Sequence, residues 1–238
     1  MPENIRVFDA TSRESLSDLR MALQTSFDAA AIRDEDDVSG DSHTIAAIPD
    51  FEELLGIDAA VYRQLNAALK SGKRHIMLYG PPGTGKTTLA RLLAGYLADN
   101  WKLITASADW SSQDIIGGYM PLADGSLVFF PGVLLEHFNK PLVIDELNRC
   151  DIDKVIGPLF TVLSGQSTTL PYLTDPSDAS SPRFTILPEP KAKPAENEFA
   201  PSGDWRIIAT INTVDKASLY QMSYALSRRF AWVFGDVP

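Results

Sequence analysis

The chain has 238 residues, 45% of them hydrophobic, which suits one generous α/β domain with an N-terminal extension and a sizeable core. Its 21 basic and 31 acidic side chains leave a net charge of −10, which argues against a surface built to bind nucleic acid nonspecifically, though not against a few basic groups gathered in a pore or groove. The lone Cys150 excludes an internal disulfide and points to a reducing, cytoplasmic compartment; no apolar run reaches about 18 residues, and Met1-Pro2-Glu3-Asn4 opens no leader pattern, so neither membrane insertion nor export is expected.

In chain order, residues 11–31 suggest a helix. Thr11 and Glu14 fit a capping box, and Leu16, Leu19, Leu23 and Phe27 form a stripe at helical spacing. Asp34-Glu35-Asp36-Asp37 and Ser39-Gly40-Asp41 look like a solvated linker, so residues 1–45 are expected to be an extension and 46–238 the core domain. A helix near 58–71 leads into His75-Ile76-Met77-Leu78-Tyr79, a short apolar run that predicts a buried strand ending at Gly80. Beyond Lys86, the residues Leu89, Leu92, Leu93, Tyr96 and Leu97 fall on one helical face. Leu103–Thr105, Leu142–Ile144, Arg206–Ile211 and Ala231–Phe234 complete five strands of a parallel sheet, separated by helical patterns in a three-layer α/β arrangement. Two stretches interrupt it. Residues 117–132 carry Asp124-Gly125 in their middle, a hairpin signal. Residues 171–204 hold seven of the sixteen prolines and predict an exposed insertion, a hairpin with a mobile tip.

Two motifs carry chemistry. Gly80-Pro81-Pro82-Gly83-Thr84-Gly85-Lys86-Thr87, with Thr88 following, matches the phosphate-binding loop and lies between a predicted strand and a predicted helix, as that loop requires. Glycines let the backbone curl its N–H groups toward phosphates, and the helix adds its positive end. Lys86 is expected to reach the β- and γ-phosphates, and the Thr87 hydroxyl to bind Mg²⁺. Leu142-Val143-Ile144-Asp145-Glu146 is an apolar strand ending in two acids. Taken alone it would be an ordinary solvated strand end. Beside a phosphate loop, Asp145 suits a hydrated Mg²⁺, and Glu146 suits orienting or deprotonating the attacking water.

These motifs, with Val143-Ile144-Asp145-Glu146-Leu147-Asn148-Arg149, then Ala209-Thr210-Ile211-Asn212-Thr213, then Ala225-Leu226-Ser227-Arg228-Arg229-Phe230, resemble AAA+ ATPases. Within them the chain is most similar to the branch holding MoxR-like chaperones, dynein-related proteins and McrB-like restriction motors. The resemblance covers roughly residues 50–238 and implies the large subdomain of a P-loop NTPase, with ATP or GTP and Mg²⁺ as ligands. It implies that Asn212 is the sensor-1 polar residue near the γ-phosphate; the plainer reading is a strand-end Asn satisfying a turn. It makes Arg229 the arginine finger for a neighbouring subunit, with Arg228 as second choice and a helix over 215–227 before them. The plainer alternative is an arginine pair complementing a helix dipole. Asn148 and Arg149 would steer Glu146 or sense the adjacent subunit. The 117–132 hairpin resembles the helix-2 insertion of this branch, which faces a pore or partner and makes Tyr119, Met120 and Phe129 candidate contacts. A small helical lid would normally follow; the sequence ends at Pro238, just after the fifth strand.

What the resemblance implies about function is a ring, expected to be a hexamer, that hydrolyses ATP to remodel a partner protein in the MoxR-like manner. The second reading is an McrB-like NTPase, on ATP or GTP, that translocates DNA for a partner nuclease. A nucleotide-gated scaffold with little turnover is a third, and a small-molecule kinase fits least. The guanine-reading motif of small GTPases is absent, since Asn139-Lys140-Pro141 continues into Leu142, but that does not decide the base.

Overall fold

The structure, a computed structural model, describes residues 47–49, 57–213 and 224–235, all within the unit Thr44–Pro238. The expected helix over 11–31, the acidic linker, the boundary at 45/46 and most of the helix over 215–227 lie outside the described residues.

Helix α1 (Ala59–Lys70) begins where the Asp58 carboxylate accepts the Ala60 N–H at 2.7 Å. It leads into β1 (His75–Gly80), and the glycine loop follows before α2 (Lys86–Leu97). The sheet is completed by β2 (Lys102–Thr105), β5 (Leu142–Asp145), β9 (Ile207–Asn212) and β10 (Phe230–Phe234). All its pairings are parallel, in the spatial order β10-β1-β9-β5-β2. Hydrophobic runs are what such strands need, because both sheet faces are covered. On one face Ile76, Leu78, Val143, Ile208 and Val233 meet α1 and α2. On the other, Met77, Leu142, Ile144, Ile207, Ala209 and Ile211 meet the short helices α3 (Ser112–Ile115), α4 (Val133–Glu136) and α5 (Ile152–Ile156). Along β1, β5, β9 and β10 the alternation thus sorts side chains into two cores, while the edge strand β2 is largely exposed apart from the half-buried Ile104. The expected three-layer α/β arrangement with a five-stranded parallel sheet is what forms.

Burial on α2 differs from the stripe of large residues. The helix buries Lys86, Leu89, Ala90, Leu93 and Ala94. Two alanines let the backbone lie close on the sheet, and Tyr96 rotates outward, where its hydroxyl donates to the Ala47 carbonyl at 3.2 Å.

The 117–132 segment is the expected hairpin, β3 (Gly117–Pro121) against β4 (Leu127–Pro131). Asp124 fastens its turn by accepting the Ser126 N–H at 2.9 Å. The proline-rich segment is more than a hairpin and starts earlier than residue 171. Strands β6 (Thr168–Leu173) and β7 (Arg183–Ile186) are antiparallel, and β8 (Glu198–Phe199) joins β7 in parallel. The aromatic content explains this order. Phe129 of the hairpin stacks on Phe184 at 4.6 Å and meets Tyr172 at 5.1 Å, while Phe199 closes on Phe184 at 5.7 Å. The Tyr119 hydroxyl accepts the Leu173 N–H at 2.5 Å and donates to the Leu173 carbonyl at 2.9 Å. Hairpin and insertion therefore pack as one lobe. Of the three candidate contact residues, Tyr119 and Phe129 are committed to packing, and only Met120 faces solvent.

Candidate nucleotide site

The site forms where β1, β5 and β9 end on the same edge of the sheet. Gly80, at the end of β1, pairs with Asn212, at the end of β9, and the Thr213 N–H donates to the Gly80 carbonyl at 3.0 Å. No larger residue fits at 80, because a Cβ there would lie 2.1 Å from the Gly235 carbonyl oxygen. Gly83 and Gly85 take left-handed φ values of 81° and 75°, and Gly85 caps α2. The chain thereby turns from strand to helix within five residues, with the free N–H groups of the first turn of α2 facing the loop.

Lys86 is buried at the start of α2. Its ammonium donates to the Pro81 carbonyl at 2.5 Å and to the Thr84 hydroxyl at 3.3 Å. Burial pulls its pKa below the ordinary lysine value, opposed by the nearby Asp145 and Glu146 carboxylates. The Thr87 hydroxyl donates to Asp145 Oδ1 at 2.7 Å, and the Thr210 hydroxyl donates to the same oxygen at 2.6 Å. Glu146 follows in a left-handed conformation, φ 52°, the one non-glycine residue with positive φ among those described. Its carboxylate accepts the Asn212 amide at 3.2 Å and is ion-paired with the Arg149 guanidinium. Asn148, buried beneath, accepts the Asn212 N–H at 3.3 Å.

These groups surround an open cavity of about 360 Å³. Pro82, Gly83, Gly85, Lys86, Thr87 and Thr88 form one side of it. Asp145, Glu146, Thr210 and Asn212 form the other. The structure thus brings together nearly every residue expected there. Gly80, Pro81 and Thr84 shape the loop from behind instead, the Thr84 hydroxyl bonding the Pro81 carbonyl at 3.1 Å. Arg228 and Arg229 stand apart from this cavity. Arg229 donates to the Phe160 carbonyl at 3.2 Å and to the Ser164 hydroxyl at 2.8 Å, while Arg228 is exposed and its carbonyl accepts the Lys73 ammonium at 3.1 Å.

The donor set suits Mg²⁺. A hydroxyl and a carboxylate in contact are hard oxygen ligands, and Mg²⁺ keeps several waters and takes its remaining ligands from phosphates. Among the described residues no group of three or more His, Cys, Asp and Glu side chains forms a full cage for a metal. The arrangement offers a cation and loop amides for phosphates, an oxygen pair for the metal, and a carboxylate oriented by an amide for a water.

Thr210 escaped the sequence reading as a site residue. Its signal was present: a hydroxyl inside the otherwise apolar, buried run Ile207–Ile211 has to find a partner. Arg149, placed only by resemblance, touches Glu146 directly.

Residues 75–230, more than half of the chain, match the AAA domain of the dynein-related subfamily. The chain is 31% identical over 179 residues to the type IV methyl-directed restriction enzyme EcoKMcrB subunit of Escherichia coli strain K12, a span covering 68% of this chain and 35% of that protein. It is 31% identical over 135 residues to the Holliday junction branch migration complex subunit RuvB of Prochlorococcus marinus strain MIT 9301, covering 51% of this chain and 36% of that one. For RuvB of Synechococcus sp. strain RCC307 the identity is 39% over 109 residues, covering 45% and 30%. The matches thus span about a third of the length of these curated relatives. By sequence, the chain belongs to the AAA+ family, in its dynein-related subfamily.

Proposed function

We propose that this chain is the Mg²⁺-dependent, ATP-hydrolysing core of a ring-forming motor. The observation that carries the reading is the convergence of Lys86, Thr87, Asp145, Glu146 and Asn212 on one cavity at the strand ends. Thr87 and Asp145 would hold Mg²⁺, which when bound would draw charge from the phosphates. Lys86 and the loop amides bind the β- and γ-phosphates. Glu146, aimed by Asn212, orients a water and takes its proton as the water attacks the γ-phosphorus; the bond to the bridging oxygen breaks, leaving ADP and phosphate. Arg229, with Arg228 beside it, serves the site of the next subunit in a hexameric ring, which fits their position away from their own cavity.

Two relations to a client have support. Remodelling of a partner protein is favoured by the exposed apolar face of the β3–β4 hairpin, where Met120, Val128 and Phe130 are 54%, 40% and 44% exposed and no lysine or arginine stands in 117–131. Work on DNA, through a partner, is favoured by the relatives, a restriction enzyme subunit and a branch migration subunit. Phosphate release measured with ATP and with GTP, each with and without duplex DNA, separates them: DNA-independent ATP turnover ends the DNA reading, and GTP-restricted turnover corrects the base. Arg229→Ala is expected to stop turnover alone and to recover part of it when mixed with Lys86→Ala. Normal activity of Arg229→Ala by itself would remove the finger.

A further inference from the structure

Strand β9 carries one polar side chain within its fully buried stretch. Thr210 is 2% exposed and lies between Ala209 and Ile211, both buried. Valine would serve the packing equally well, having the same shape and the same preference for strands. The hydroxyl is used twice. It donates to Asp145 Oδ1 at 2.6 Å, and it accepts the Glu146 N–H at 2.9 Å. A hydroxyl has one hydrogen and two lone pairs, so the first bond sets its direction and the second uses what remains. The pairing of Ile144 with Ala209 places Thr210 beside the point where β5 ends, so the contact follows from sheet register.

Two consequences follow for the acids. The Thr87 and Thr210 hydroxyls fall on the same oxygen of Asp145, which holds the carboxylate in one rotation; Oδ2 would then be the oxygen that meets the water shell of a bound Mg²⁺. The left-handed turn at Glu146, unusual for a residue with a side chain, is held on one side by Thr210 and on the other by the Arg149 N–H, which donates to the Glu146 carbonyl at 2.9 Å.

We propose that Thr210 is a positioning residue for nucleotide hydrolysis: its single hydroxyl ties the metal-side acid to the water-side acid and sets the aim of both. The proposal rests on the reading of this cavity as an Mg²⁺-nucleotide site. It is tested in the full chain with Thr210→Val, Thr210→Ser and Glu146→Gln, by binding of a fluorescent ATP analogue in Mg²⁺ and in EDTA, and by phosphate release. In EDTA, Thr210→Val is expected to bind within twofold of the parent chain. The gain in affinity on adding Mg²⁺ is expected to shrink about 10-fold, and kcat to fall by about 10- to 100-fold with little change in KM at saturating Mg²⁺, the usual size for outer partners of metal ligands. Thr210→Ser, which keeps the hydroxyl, should recover most of both losses. Parent-like Mg²⁺ dependence in Thr210→Val overturns the proposal. So does a Thr210→Ser chain as impaired as Thr210→Val with its thermal unfolding intact, because packing would then be the cause. If Thr210→Val does not fold, Thr210→Ala removes the same hydroxyl and is judged by the same two readouts. Glu146→Gln separates the two levels. Parent-like hydrolysis in that chain removes the role of Glu146, while the Mg²⁺ gain in binding still decides on Thr210.

Discussion

At the edge of the five-stranded sheet, polar side chains from the ends of β5 and β9, the first turn of α2 and the turn after β5 are fixed by hydrogen bonds of 2.6 to 3.3 Å. In the lobe built from β3–β4 and β6–β8, rings from segments far apart in the chain are held by centroid contacts of 4.6 to 5.9 Å, with the Tyr119 hydroxyl tying the hairpin to β6. The first region locates atoms, because backbone register in a parallel sheet leaves each strand end almost no freedom. The second locates surfaces, since aromatic packing is broad in angle and tolerant of small shifts. Chemistry is expected to be brittle in the first region and stability in the second.

The largest effect should come from the site. Glu146→Gln is expected to lower hydrolysis by about 10²- to 10⁴-fold, the range for loss of a general base, while nucleotide binding and the unfolding midpoint stay near the parent values. A large drop in stability instead would erase the contrast between the regions. In the lobe the order should invert. Phe129→Ala is expected to cost about 3–5 kcal/mol in denaturant unfolding, with nucleotide affinity of the folded fraction retained. If affinity falls with stability, the lobe and the site are coupled.

A smaller effect tests the sheet that joins them. His75 is buried, accepts the Ile207 N–H through Nδ1 at 3.1 Å and lies against Trp205 and Phe230. Burial first, then Arg74 and Arg206, lowers its pKa from 6.5 to about 3. The folded chain therefore keeps His75 neutral, and the unfolded chain takes up its proton first. Stability is whole above pH 6.5 and is lost as pH falls from there toward 3, by about 2 kcal/mol at pH 5. Urea unfolding at pH 7 and pH 5 should differ by that amount in the parent and by less in His75→Gln. The smallest effect is expected on the exposed face of the hairpin. Met120→Ser should move stability by less than about 0.5 kcal/mol and leave basal turnover unchanged, so any loss seen only with a client present would mark that face as a contact.

The phosphate loop was legible because its chemistry is local: eight consecutive residues specify a turn that only glycines can make, next to a lysine and a threonine. Asp145 and Glu146 were legible as strand-end acids, and Asn212 through its resemblance to a family run. The two arginines were legible as a pair, but nothing local says whose site they serve. The aromatic lobe was not legible as a unit. Tyr119, Phe129, Tyr172, Phe184 and Phe199 stand in five strands, and the prolines between them look like loop composition when taken in sequence.

Thr210 sharpens the same division. By itself the sequence determined the five strands, the glycine loop and the acids, since each depends on neighbours a few positions away. Only the tertiary structure decided that β9 lies between β1 and β5. That order puts Thr210 against Asp145 and Glu146, and Asn212 against Glu146, residues more than sixty positions apart in the chain. The reason is physical: hydrogen-bond partners across a parallel sheet are chosen by strand order and register, which arise from burying both faces at once and which no short stretch of sequence contains.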